Sequence, residues 1–169
     1  MRLFISDTNI FIDLTTCGLI GQMFQLPYEF AVPDMLYFEE LSENHGDLPA
    51  YGLQIMTVNE EYTMYAAGLQ SIYPQTGPND LLALSLAKQE NAPLISGDGA
   101  LRIAAKKEGV DVKGTLWVME EFVRHGMITI HEAEEAFERM KRYQRFLPWN
   151  EINALLRRLH EEFNQSEKL

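Results

Sequence analysis

"LFISDTNIFIDL", residues 3–14, decides how the rest of the chain is read. The run Leu3-Phe4-Ile5 has the continuous apolar character of a buried strand. It delivers an aspartate, Asp7, into the polar triplet Asp7-Thr8-Asn9, and an apolar, helix-like pattern resumes at once. Asp, Thr and Asn all start helices well. A carboxylate at the tip of a buried strand is also where a metal ligand sits at the edge of a sheet. On this stretch alone both readings stand.

Further short apolar runs follow at intervals: Phe30–Val32, Ile55–Val58, Leu94–Ile95 and Val110–Val112. Between them lie helical patterns over roughly 10–25, 34–44, 60–72, 80–90 and 99–108, with another over 115–125. Asn59 before Glu60-Glu61 predicts a helix cap, and Gly109 stands where a helix C-terminal glycine belongs. Strands that are apolar almost throughout, alternating with helices, imply a parallel sheet covered on both faces. The fold class is therefore α/β.

Residues 129–169 read differently. Thr129 and Glu132 form a capping-box pattern that opens a helix with Ala133, Ala136, Phe137, Met140 and Tyr143 on one face. "RFLPWNE" breaks it at Pro148, and a second amphipathic helix follows, presenting Trp149, Ile152, Leu155, Leu156, Leu159 and Phe163. The expected organisation is an α/β domain over 1–128 and a two-helix C-terminal extension over 129–169.

Composition narrows the function classes. With 46% apolar and 23% charged residues in 169, the chain has the makings of a well-cored globular domain. One cysteine, Cys17, permits no internal disulfide and fits a reducing compartment. Asp7 and Asp13 interrupt the only candidate leader, and no run nears the ~18 apolar residues of a membrane span. A cytoplasmic location and no membrane partner are expected. The net charge of −11 argues against nonspecific binding to nucleic acid over the whole surface. Its distribution says more: no Lys or Arg occurs from residue 3 to residue 87, whereas basic and acidic residues nearly balance after 128.

Four acids fall where an open parallel sheet binds ligands, beyond the carboxyl ends of its strands. Asp7 follows the first strand, and Asp98, in "PLISGDGALR", follows the fourth. Glu39 lies in "VPDMLYFEEL", after the second strand, and Asp80 sits in the first turn of the helix "GPNDLLALSLA". Each has an innocent reading as a cap, a turn residue or a solvated charge. Together they need compensation, because two like charges 4 Å apart repel by about 4 kcal/mol at an effective dielectric of 20. A hard divalent cation, Mg2+ or Mn2+, suits all-oxygen ligands. His45, His125, His131 and His160 show no ligand spacing, and Cys17 reads as a small core residue.

The segments "FISDTNIFIDL", "VPDMLYFEEL", "NDLLALSLAKQENAPLISGDGALR" and "VKGTLWVMEEF" resemble, in order and through about residue 126, a PIN domain, the nuclease fold of VapC-type toxins. The resemblance implies a three-layer sandwich around a central parallel sheet and a Mg2+- or Mn2+-dependent ribonuclease site. By position it assigns catalysis and metal binding to Asp7, Glu39, Asp80 and Asp98, with Thr8, Asn9 and Ser96 as their polar surround. Glu39 is preferred to Glu40 because it stands six residues after Pro33. The implied partners are an RNA substrate and a small antitoxin protein, and a homodimer is left open. Arg102 and Lys106, four apart on the helix after Asp98, are the expected phosphate contacts, with Arg139, Lys141, Arg142 and Arg145 a second basic cluster. Two other classes compete. A haloacid-dehalogenase-type phosphatase needs a second aspartate where Asn9 stands. A non-catalytic PIN-like scaffold, binding a protein or RNA without cutting, is the serious alternative.

Overall fold

Five parallel strands form a single sheet in the order β3-β2-β1-β4-β5, flanked by helices, in a computed structural model that describes residues 1–143 and 147–167. The first strand, β1 (Arg2–Ser6), is central because its residues are apolar on both faces: Phe4 and Ile5 are fully buried, as is Ser6 at its end. It pairs with β2 (Tyr28–Pro33) on one side and with β4 (Leu94–Ile95) on the other. The edges are β3 (Gln54–Met56), beside β2, and β5 (Val112–Lys113), beside β4.

The connections are helical throughout. The pattern expected over 10–25 is two helices, α1 (Thr8–Thr16) and α2 (Ile20–Met23), because Gly18 takes φ +74 and turns the chain between them. After β2 come α3 (Asp34–Leu36), a π-helical segment (Tyr37–Leu41) and α4 (Leu48–Tyr51), the last of which no periodicity announced. Then α5 (Glu60–Ile72), capped by Asn59 as expected, packs along α6 (Pro78–Gln89), which lies on β1, β2 and β4. α7 (Gly99–Lys107) joins β4 to β5, and α8 (Thr115–Arg124) follows.

Two strands differ from expectation for a shared reason. β3 covers 54–56 rather than 55–58, because Met56 pairs with Pro33 and β2 ends there. β5 begins at Val112 rather than Val110, since its partner β4 is only two residues long. Pairing sets strand length here, not local hydrophobicity.

The last two helices are α9 (Ile130–Arg142), with the full Thr129–Glu132 capping box, and α10 (Trp149–Glu167). Ala133, Phe137 and Met140 from α9, and Ile152, Leu155 and Leu159 from α10, join the same buried cluster as the sheet. Tyr143 and Phe163, expected on the packed faces, are exposed, each lying towards a helix end. α9 packs on α1 and α8, where Arg139 Nη1 donates to the Cys17 carbonyl at 3.4 Å. Arg124 reaches Glu120 and Glu162, each at 2.8 Å, linking α8 to α10. Such surface pairs add little each, so the apolar seam carries most of the docking.

Met140 is fully buried, so Met140→Ala is expected to cost about 2–5 kcal/mol of unfolding free energy in urea. Single-tryptophan variants test the expected division at residue 128: Trp117 reports on the sandwich and Trp149 on α10. Coincident transitions mean one cooperative unit, and separated transitions mean two.

Candidate functional site

Chain connections leave β1 in opposite directions, towards β2 and β3 on one side and, later, β4 and β5 on the other. The reversal opens a crevice between the carboxyl ends of β1 and β4, the usual ligand position in open α/β sheets. Asp7 and Ser96 face each other across it. The Asp7 backbone N–H donates to the Ile95 carbonyl at 3.2 Å, extending the ladder by one residue. Ser96 Oγ donates to Asp7 Oδ2 and accepts the Asp98 backbone N–H at 3.0 Å. One hydroxyl therefore fixes two of the four acids.

The other contacts explain why each acid is where it is. Asp7 Oδ1 accepts the Ile10 N–H at 3.4 Å, so the cap reading of this residue is correct as far as it goes. Asp98 caps α7 by accepting the Leu101 N–H at 2.8 Å. Asp80 lies in the first turn of α6, after Gly77 at the N-cap. Glu39 lies exposed in the π-helical segment, where its Oε2 accepts from Asn79 Nδ2 at 2.8 Å. Thr8 and Asn9 open α1 beside Asp7.

Burial and mutual repulsion act on these carboxylates together. Asp7 is fully enclosed, and its carboxyl is pushed up from 3.8 to about 7: desolvation is the largest cause, Asp80 and Asp98 add to it, and the hydrogen bonds from Ser96 and the Ile10 N–H oppose it. Desolvation, then Asp98, then Glu40 push Asp80 up to about 6. Asp7, Asp80 and Asp98 thus share one field. The two glutamates divide: Glu39 is tied to the Asp80 segment by Asn79, and Glu40 acts on Asp80 through its charge.

Among the described residues, no group of three or more His, Cys, Asp or Glu side chains stands close enough to hold a metal ion directly. The acids are neighbours, not a closed cage. Their chemistry nevertheless fits a hard divalent cation: every donor is oxygen, and burial with mutual repulsion raises the carboxyls of Asp7 and Asp80, a cost that a bound cation would offset. Thr8, next to Asp7, adds a buried Oγ1 with no hydrogen-bond partner, an orphaned oxygen of the kind that a bound group satisfies.

Arg102 and Lys106 lie on α7, and both line a cavity of about 540 Å3 that begins at Gly97, between Ser96 and Asp98. Arg102 is half-buried and its Nη1 donates to the Ser96 carbonyl at 2.9 Å. Arg139 and Arg142 line a different cavity between α9 and α10, Lys141 lies over the Trp149 ring, and Arg145 is outside the described residues.

Two contacts went unread in the sequence. Asn79 binds Glu39; its place directly before Asp80 in "GPNDLL" was the available signal. Asp13, buried on α1, accepts from Thr115 Oγ1 at 3.2 Å, a pairing 102 residues apart that no local pattern encodes.

A family model described as PIN domain matches residues 3–161, running through α9 and into α10. Among solved structures, the crystal structure of VapBC2 from Rickettsia felis bound to a DNA fragment from their promoter is similar, with 19% identity and a TM-score of 0.44 over 67% of this chain and 98% of that chain. No curated protein matches at a significant level. No helix among the described residues is long and apolar enough to cross a membrane.

Because the Asp7 carboxyl rises on folding, the metal-free fold prefers it protonated. Its contribution is complete below pH 3.8 and is lost as pH rises through about 7. Asp7→Asn should therefore stabilise the EDTA-treated protein relative to wild type at pH 8 and scarcely at pH 4, by up to about 4 kcal/mol for a shift of this size. Urea midpoints of both proteins at the two pH values measure the difference.

Proposed function

The chain belongs to the PIN-domain family, and from that premise we propose that it is a Mg2+- or Mn2+-dependent endoribonuclease acting as the cytoplasmic toxin of a toxin–antitoxin pair. The observation that carries the proposal is the hydrogen-bonded unit Asp7–Ser96–Asp98 at the strand-order reversal, with Asp80 in the same field. In this reading Asp7, Asp80 and Asp98, with Glu39, hold the cation, and Ser96, Thr8 and Asn9 surround them.

When bound, a divalent ion supplies charge to the phosphate oxygens and makes water acidic enough to attack at neutral pH. The remaining work falls to the chain. Ser96 keeps Asp7 and Asp98 in a fixed relation, and Asn79 holds Glu39 against the α6 N-terminus. Asp7 and Asp80 give up their protons as the cation is bound, so affinity should rise with pH through about 6 to 7. Arg102 and Lys106 offer positive charge to phosphates flanking the cut.

The antitoxin part rests on charge. With no Lys or Arg between residues 3 and 87, nothing in that half of the chain neutralises the acids. A partner whose arginine-bearing tail reaches them would do so through bidentate pairs. The open spacing of the acids favours a second reading, a non-catalytic scaffold that binds RNA or a protein.

Cleavage of a mixed RNA pool decides between them. Hydrolysis that needs Mg2+ or Mn2+ and falls at least about 100-fold in Asp7→Asn and Asp80→Asn supports the nuclease. Wild-type protein that leaves RNA intact with either ion supports the scaffold. Growth arrest on expression, relieved by the neighbouring gene's product, tests the toxin assignment separately.

A further inference from the structure

On a chain of net charge −11, the cavity beginning at Gly97 is walled by three cations, Arg102, Lys106 and Lys113, against one acid, Glu151. Arg102 is not a loose surface side chain. Its guanidinium is anchored on the Ser96 carbonyl and crosses Gly114, where a Cβ would stand 2.7 Å from Nη1. The charge is thus set in place before any ligand arrives, which lowers the entropy lost on binding. Lys106 makes no ion pair with a described residue. Lys113 faces Asp111 at 3.8 Å, a long surface pair that water screens.

Apolar groups share this lining: Trp117 is among them, its ring packed near Phe4 at 4.9 Å and Tyr28 at 5.6 Å between ring centres. Leu147 and Pro148, where the chain enters α10, line it as well. A volume of about 540 Å3 exceeds what a lone phosphate fills and lies within the ordinary range for small organic ligands. One anchored cation, two further lysines and a packed indole in one cavity suit an anion that carries a flat ring.

We infer that this cavity seats one nucleoside monophosphate unit of the substrate strand, its phosphate on Arg102, Lys106 and Lys113 and its base against Trp117. The inference rests on the RNA-cleaving reading and deepens it: the strand is gripped one nucleotide at a time beside the acids, with the start of α10 as part of the grip. Lys113, Trp117 and the Leu147-Pro148 corner then belong to substrate binding.

The test uses the full chain in EDTA, with Trp149→Phe so that Trp117 alone fluoresces. Adenosine 5′-monophosphate is titrated, with inorganic phosphate, adenosine and a short polyglutamate peptide as comparisons. Saturable quenching by the nucleotide is expected, weakened about tenfold or more by Lys106→Ala with Lys113→Ala, both polar-faced substitutions whose folding circular dichroism checks. Lys88→Ala, at the other end of the sheet, should bind as before. Absence of quenching, equal affinity in the double variant, or equal binding of inorganic phosphate or polyglutamate overturns the inference. Nucleotide binding through these lysines without any RNA cleavage overturns the nuclease reading and leaves the seat standing. Cleavage with an unchanged KM in the double variant, and no nucleotide binding, overturns the seat alone.

Discussion

A carboxyl group enclosed at the end of the central strand is the constraint around which this molecule is arranged. Asp7 cannot be moved outward without breaking the β1–β4 ladder that its own backbone extends. It cannot be left without partners either, since a buried polar group without hydrogen bonds is costly. Ser96 answers from the adjacent strand and Ile10 from the following helix. Those two contacts tie the end of β1 to the end of β4 and to the start of α1. The topology matters because β1 and β4 are neighbours in the sheet although 87 residues separate Asp7 from Leu94 along the chain.

From that point the electrostatics follow. Fixing Asp7 and Asp98 through one hydroxyl places two negative charges near each other, and the α6 N-terminus brings Asp80 as a third. The helix start favours an anion, but desolvation and the neighbouring acids outweigh that effect and raise Asp80. The fold thus gathers three mutually repelling carboxyls in one crevice. Arg102, in the first turns of the α7 helix that Asp98 caps, directs its Nη1 to the Ser96 carbonyl. Positive charge is thus present beside the crevice without cancelling it.

The sequence made most of the scaffold legible because its signals are local. Apolar runs marked β1, β2 and β4, Asn59 marked the start of α5, and Thr129 with Glu132 marked α9. The placement of the acids at strand ends and helix starts was readable for the same reason: a cap and a candidate ligand occupy the same positions. What escaped was set by partners distant in sequence. β3 ends where Pro33 ends β2, and Asp13 is held by Thr115, 102 residues away in the chain. Tyr143 and Phe163 matched an apolar helical face by period but sit exposed towards helix ends. Periodicity gives the face, not how far along it the packing reaches.

The π-helical segment at Tyr37–Leu41 bears on which glutamate serves the crevice. The Ser42 N–H reaches back five residues to the Tyr37 carbonyl, at 2.8 Å, so one turn contains a residue more than an α-helix needs. One residue corresponds to about 100° of rotation in an α-helix. Glu39 and Glu40 are adjacent in the chain, and the wide turn lets one meet Asn79 while the other adds its charge at Asp80. In this segment phase, not residue identity, assigns the roles. A one-residue insertion upstream would move Glu39 into the place of Glu40, and a one-residue deletion would move Glu40 into that of Glu39, making this turn the place where the chain can retune its charge by length alone.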